Sequence, residues 1–165
     1  ELLRAIREPG LKLEDVFKRV REAVRVKTSG EQVPWEASSV EGDFYFALPR
    51  AVAAYSKFRV AAALEDESGA LHPGVNVESA SFSLTICAER NALFGALARG
   101  ATRFRRIAIA ADRAKPALPC GACRQVLLEH APDLILLLEA PDGGVEEIAL
   151  RELLPRPFLS WSRPS

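Results

Sequence analysis

The chain has 165 residues, a length that suits one compact domain with room for an additional segment, and its 22 basic residues balance 22 acidic ones. That balance argues against a protein of phosphate backbones, because nonspecific nucleic-acid binding draws on clustered, uncompensated Lys and Arg; the one basic knot, Arg103, Arg105 and Arg106, reads as a solvated strand end. No apolar run approaches the ~20 residues of a membrane helix, and the amphipathic start is unlike a signal peptide, so no membrane partner is expected.

In chain order, residues 2–7 read as a short helical piece, closed by Pro9-Gly10. Leu13, Val16, Phe17, Val20 and Val24 then form the apolar stripe of an amphipathic helix over residues 13–27. Thr28-Ser29-Gly30 stops it, Gln32-Val33-Pro34-Trp35 reads as extended loop, and Phe44-Tyr45-Phe46 as a short strand. After Pro49 the pattern changes. Residues 50–56 suggest a short helix, residues 58–64 a strand, residues 65–69 a turn, and residues 70–77 the returning strand of a hairpin. Thr85 suits the N-cap of a helix over residues 86–99 with Gly100 as its C-cap, followed by a strand at 106–111. A helix opens at Pro119-Cys120 and runs to His130, and strands at 134–139 and 145–149 flank a turn at Asp142-Gly143-Gly144. The order β-β-α-β-α-β-β implies a mixed sheet with helices on its faces.

The three cysteines all lie between Cys87 and Cys123, and an odd, clustered set fits a disulfide scaffold poorly. In a reducing cytosol such thiols read as metal ligands or catalysts, with small buried hydrophobes as the plain alternative. Cys120 and Cys123 stand one helical turn apart, and Cys87 lies in the first turn of its own helix, where unpaired N–H groups favour thiolate. Two helix starts meeting at one sheet edge would give three sulfurs to one Zn²⁺ and leave a fourth position for water. Glu89, two residues past Cys87, is placed to take a proton from that water and pass it to a substrate nitrogen. Cys-x-Glu followed by Pro-Cys-x-x-Cys is the arrangement of the zinc deaminases, in which the Glu is a shuttle and not a ligand. His72 and His130 each stand alone and read as surface residues.

Four segments carry a family resemblance: Ala54-Tyr55-Ser56-Lys57-Phe58, Gly74-Val75-Asn76-Val77-Glu78, Thr85-Ile86-Cys87-Ala88-Glu89-Arg90-Asn91-Ala92, and Pro119-Cys120-Gly121-Ala122-Cys123-Arg124-Gln125-Val126-Leu127. Together they resemble the small, homotetrameric zinc cytidine deaminases over about residues 48–161, including Glu152-Leu153-Leu154-Pro155 and Phe158. The resemblance implies a three-layer α/β/α fold around a mixed five-stranded sheet, here with an N-terminal helical extension. It gives zinc to Cys87, Cys120 and Cys123, the proton shuttle to Glu89, and substrate contacts to Phe58, Asn76, Glu78 and Ala88, with Asn76 and Glu78 on the ribose hydroxyls and Phe58 on the pyrimidine face. Read from the residues alone, Asn76 and Glu78 are equally a polar strand end and Phe58 a core aromatic. Arg90 is placed to offset the net negative charge of three thiolates on Zn²⁺, or is an exposed helix arginine. Phe158 resembles the aromatic that closes a neighbouring subunit's pocket, with an ordinary buried anchor as the alternative.

The chain departs from the family at Arg59-Val60-Ala61, where Pro-Val-Gly is usual, at Ser79 for a second Asn, and at Phe82 for a Tyr. A methyl at Ala61 would crowd the sheet if a glycine were needed there, and Ser79 would loosen the loop presenting Glu78. These changes bear on substrate affinity and rate more than on zinc.

Nothing in a small cytidine deaminase corresponds to residues 1–46, so the expected division is an extension, 1–46, and a deaminase-like domain, 47–165. Glu8-Pro9-Gly10-Leu11, the following helix, and the stretch from Gln32-Val33-Pro34-Trp35-Glu36 to Gly42-Asp43-Phe44-Tyr45-Phe46 resemble the C-terminal end of bacterial caspase-like peptidase domains. No residue matches that family's catalytic His and Cys, so no protease activity is expected. Methionine is absent, so Glu1 is not expected to be a translation start, and the chain is expected to be the deaminase end of a longer fusion. The expected function is hydrolytic deamination of free cytidine or deoxycytidine to the uridine counterpart, in the cytoplasm. Deamination of another cytosine-bearing small molecule, of the blasticidin-S type, and a catalytically idle zinc module beside a peptidase-like partner are the alternatives.

Overall fold

The computed structural model describes residues 50–113, 116–141 and 144–158. The helices expected at 2–7 and 13–27, the strand at 44–46 and the tip of the Asp142-Gly143 turn lie outside the described residues. Strands β1 (Val60–Asp66), β2 (Leu71–Val75), β3 (Phe104–Ala111), β4 (Ile135–Glu139) and β5 (Val145–Ala149) form one five-stranded sheet in the order β2-β1-β3-β4-β5. All neighbours are antiparallel except β3 and β4, which run parallel and are joined by a crossover through helix α2 (Gly121–His130). Helix α1 (Ala88–Ala98) connects β2 to β3, and a single turn, α3 (Leu150–Leu153), follows β5. This is the three-layer α/β/α class with a mixed five-stranded sheet that the sequence implies.

The core face of the sheet carries Ala62 and Leu64 of β1, Ile107 and Ile109 of β3, and Leu136 and Leu138 of β4, in cross-strand register. Against it α1 lays Ala88, Ala92, Leu93 and Ala96, all fully buried, and α2 lays Leu127 and Leu128. The small residues of α1 let its backbone ride directly on the sheet. Gly74 makes this possible: a Cβ there would stand 2.2 Å from the Ala88 carbonyl oxygen and 2.4 Å from the Ala92 nitrogen. The far end of α1 closes in a Schellman motif, with Gly100 at φ 89°, its N–H on Leu97 O at 3.0 Å and the Ala101 N–H on Ala96 O at 3.1 Å.

Several expectations need correction. The helix expected over residues 50–56 is absent beyond Arg50: Val52 bridges Val77, and a turn at 54–56 delivers Lys57 in the left-handed region, at φ 57°. The first strand therefore starts at Val60, two residues after Phe58. Thr85 does not cap α1. Ile86 is held extended by a two-way backbone pair with Val77, so the helix begins later and Cys87 is its N-cap, while the Thr85 hydroxyl accepts the Ser79 N–H at 3.1 Å. His72 is buried, because its register opposite Leu64 puts it on the core face, where its Nε2 lies 2.8 Å from an Asp66 carboxylate oxygen. Ala61 does not crowd the sheet; it faces away from α1 and pairs with another small residue, Ala110.

Candidate active site

The end of β2, the start of β1 and the end of β3 are neighbours in register, and the N-termini of α1 and α2 open onto that same edge. Cys87 caps α1, Cys120 caps α2, and Cys123 sits in the first turn of α2. The three Sγ atoms lie within 4.8 Å of one another, with Cys87 and Cys120 at 3.9 Å. Tetrahedral coordination with Zn–S bonds of ~2.3 Å sets sulfurs about 3.8 Å apart, so this donor set fits zinc in spacing and in softness. Arg124 secures the approach to Cys120, its Nε bonding the Pro119 carbonyl at 2.8 Å while an Nη reaches the Leu153 carbonyl at 3.0 Å.

Electrostatics at the helix starts are strongly biased. Hydrogen bonding from Cys123 outweighs burial and, with help from the Arg90 guanidinium, draws the Cys87 thiol down to about 5. Cys123 is pushed far up by the proton it shares with Cys87 and by its burial. Arg90 lies over Cys87, an Nη 3.6 Å from Sγ and 3.0 Å from the Thr85 carbonyl, and its buried Nε has no partner among the described residues. Glu89 is only 4% exposed. Burial, reinforced by the negative charge of Cys87, raises its carboxyl to about 7. A carboxyl so placed both takes and gives a proton near neutrality.

Asn76 and Glu78 come to the same edge, one residue and three residues past the end of β2. Asn76 is buried; its Oδ1 accepts the Val60 N–H at 2.9 Å and its Nδ2 donates to the Phe58 carbonyl at 2.8 Å. The Glu78 carboxylate accepts the N–H groups of Tyr55 and Ser56, at 2.8 and 3.1 Å, and the Ser56 hydroxyl. These bonds, led by the Ser56 hydroxyl, hold its pKa below the usual carboxylate range. Neither residue is a strand end merely solvated. Phe58 is half-buried, packed against the core from its rim. Ala88 is fully buried, its carbonyl directly over Gly74. Ser79 is engaged on both sides, its hydroxyl accepting the Ser81 N–H at 3.2 Å. Phe158 is no buried anchor among the described residues: its ring is exposed, and its backbone is tied by two hydrogen bonds to the Gln125 side chain.

The sequence reading missed Asp112 and Arg113, which reach the Phe58 segment from the end of β3. A signal was present, since an antiparallel β1–β3 pair sets the residue after Ala111 opposite Arg59.

Residues 45–138 match the profile of the cytidine and deoxycytidylate deaminase zinc-binding region. The chain belongs to this family. The cytidine deaminase of Halalkalibacterium halodurans is 47% identical over 105 residues, covering 63% of this chain and 80% of the relative. That of Sporosarcina psychrophila is 42% identical over 113 residues, 68% of this chain and 83% of the relative. The crystal structure of cytidine deaminase from Burkholderia pseudomallei superposes with a TM-score of 0.64 at 44% identity, covering 68% of this chain and 91% of that one. The chain thus carries the zinc-binding deaminase fold together with three cysteines positioned to chelate a metal ion, and the cytidine deaminase family places it among hydrolases.

Proposed function

We propose that this protein is a zinc-dependent hydrolase that converts cytidine or deoxycytidine to uridine or deoxyuridine with release of ammonia. The observation that carries this reading is the convergence of three thiols beside one buried carboxyl raised to about 7. Cys87, Cys120 and Cys123 would hold the zinc, which when bound would make the water that attacks the pyrimidine C4 more acidic. Glu89 carries two protons in turn: it accepts one from the attacking water and delivers it to N3, then moves the remaining proton of the C4 hydroxyl to the amino group, which leaves as ammonia while C4=O forms. Arg90 offsets the surplus negative charge of the three-thiolate set. Asn76 and Glu78 meet the sugar hydroxyls, Phe58 walls the base, and Ala88 completes the pocket beside the metal. The balanced charge of the chain favours a free nucleoside over a polynucleotide.

Turnover of cytidine followed by ultraviolet absorbance, with zinc measured on the same sample, tests this reading. Glu89→Gln is expected to lower kcat by about 10²–10⁴-fold while zinc stays near one per chain, because Glu89 is not a ligand. Loss of zinc along with activity makes Glu89 a ligand instead, and a wild-type protein inert on every cytosine nucleoside overturns the enzyme reading. A panel including a blasticidin-S-type substrate, scored by ammonia release, separates the nucleoside from other cytosine-bearing molecules.

We extend the reading to the assembly and its setting. Exposed Tyr55, Phe82, Leu84 and Phe158 support a homotetramer in which Phe158 closes a neighbouring pocket; a monomer by light scattering removes that role. Three reduced thiols support a cytoplasmic location. The family match begins at residue 45, which supports a boundary close to the division of an extension, 1–46, from a deaminase-like domain, 47–165. The mass of the native gene product tests that division.

A further inference from the structure

The segment 55–60 leads into β1 beside Asn76 and Glu78, and one of its residues is strained. Lys57 sits at φ 57°, where a Cβ meets the following carbonyl, a conformation that costs about 1–2 kcal/mol outside glycine. Such a turn persists only when its surroundings over-determine it. From below, Glu78 takes the Tyr55 and Ser56 N–H groups and the Ser56 hydroxyl, and that hydroxyl in turn accepts the Phe58 N–H at 2.9 Å. Asn76 holds the Phe58 carbonyl and the Val60 N–H. These contacts leave the Ser56 and Lys57 carbonyls, on either side of the strained residue, turned toward the end of β3. There Arg113 donates to both, to Ser56 O at 3.3 Å and to Lys57 O. Asp112 accepts the Arg59 N–H at 3.2 Å and lies 3.8 Å from the Arg113 Nε. Lys57 closes the turn on itself, Nζ to the Ala54 carbonyl at 2.5 Å.

We propose that Arg113 is a positioning residue for the substrate: by pinning the Ser56 and Lys57 carbonyls it holds the left-handed turn that sets Phe58 against the base and Glu78 toward the sugar. The proposal rests on the deaminase reading for its substrate, but the clamp itself is a property of the chain. Arg113 touches neither the thiols nor Glu89, so its effect falls on binding and not on the proton transfers. It also stands on the connection that goes on to Pro119 and Cys120, which ties the substrate side of the site to the strand that leads into the metal side.

Two measurements on the zinc-loaded protein test this. In steady-state kinetics with cytidine, Arg113→Ala is expected to raise KM about tenfold with kcat within about twofold and zinc content unchanged, the mark of lost uniform binding. Arg113→Lys, which keeps the charge on a shorter, more flexible stem without the planar fork, is expected to fall between the two. In amide hydrogen exchange, Arg113→Ala is expected to speed exchange at Tyr55 and Ser56 at least about tenfold, since the turn that presents those amides to Glu78 is loosened. An unchanged KM with unchanged exchange overturns the proposal. So does a fall in kcat accompanied by loss of zinc, which would make Arg113 a support of the metal site. If wild type turns over no cytosine nucleoside, the deaminase reading fails on its own, and unchanged exchange in Arg113→Ala then overturns the clamp independently.

Discussion

At the scale of single residues, burial set against hydrogen bonding sorts the acidic side chains into different tasks. Glu89, enclosed at the start of α1, is pushed up to about 7, whereas Asp66, at the β1–β2 turn, falls to about 2. Burial alone would raise Asp66. It is outweighed by bonds from the Ser68 hydroxyl, His72 and the Ala70 and Ser68 amides. The native Asp66 carboxyl therefore binds its proton more weakly than the unfolded one. Its contribution is fully present above pH 4 and drains away as pH falls from about 4 toward 2. Asp66→Asn is expected to cost about 1 kcal/mol at pH 7, after allowance for solvent screening, and only a small part of that near pH 2, where the native carboxyl is about half protonated. Urea unfolding at the two pH values checks it; an equal deficit at both would assign the loss to packing and not to ionisation.

Among the elements, the placing of α1 decides the site, because one helix start carries Cys87, Glu89 and Arg90. Its height above the sheet is set by Gly74, where any side chain meets helix backbone at 2.2–2.4 Å. Gly74→Ala is expected to destabilise by about 1–3 kcal/mol and to depress turnover, since the helix must lift and carry Glu89 away from the thiols of α2. The midpoint of urea unfolding and kcat, measured together, check this; a variant as stable and active as the parent would show that α1 does not ride on that glycine. Helix position also explains which expectations were legible. The spacing of Cys120 and Cys123 is a local property of one turn, so the sequence sufficed for it. Thr85 has the chemistry of a cap and still is not one, because a pairing with Val77 keeps Ile86 extended. His72 was misread because it stands alone in the sequence, whereas strand register put it on the core face with a carboxylate waiting. The Arg113 contacts bridge 56 and 57 residues, a distance over which no local pattern speaks.

For the molecule as a whole, zinc would join two helices that approach the sheet from separate parts of the chain, α1 after β2 and α2 after β3. Binding confined to the folded chain adds stability by mass action, about 4 kcal/mol at a thousandfold excess over Kd, so removal by a chelator is expected to lower Tm. Metal uptake must also displace protons, because thiolates and not thiols are the ligands. Cys87 gives up its proton at about 5, but Cys123, pushed far up by sharing with Cys87 and by burial, still holds one at neutral pH before the ion arrives. Loading the metal-free protein at pH 7 is therefore expected to release at least about one proton per zinc. Affinity should weaken on acidification, by about tenfold or more per pH unit, and more steeply below pH 5 as Cys87 also takes up a proton. Calorimetry in buffers of different ionisation enthalpy reads the proton count directly. Uptake without proton release would mean that the thiol of Cys123 does not enter the coordination set.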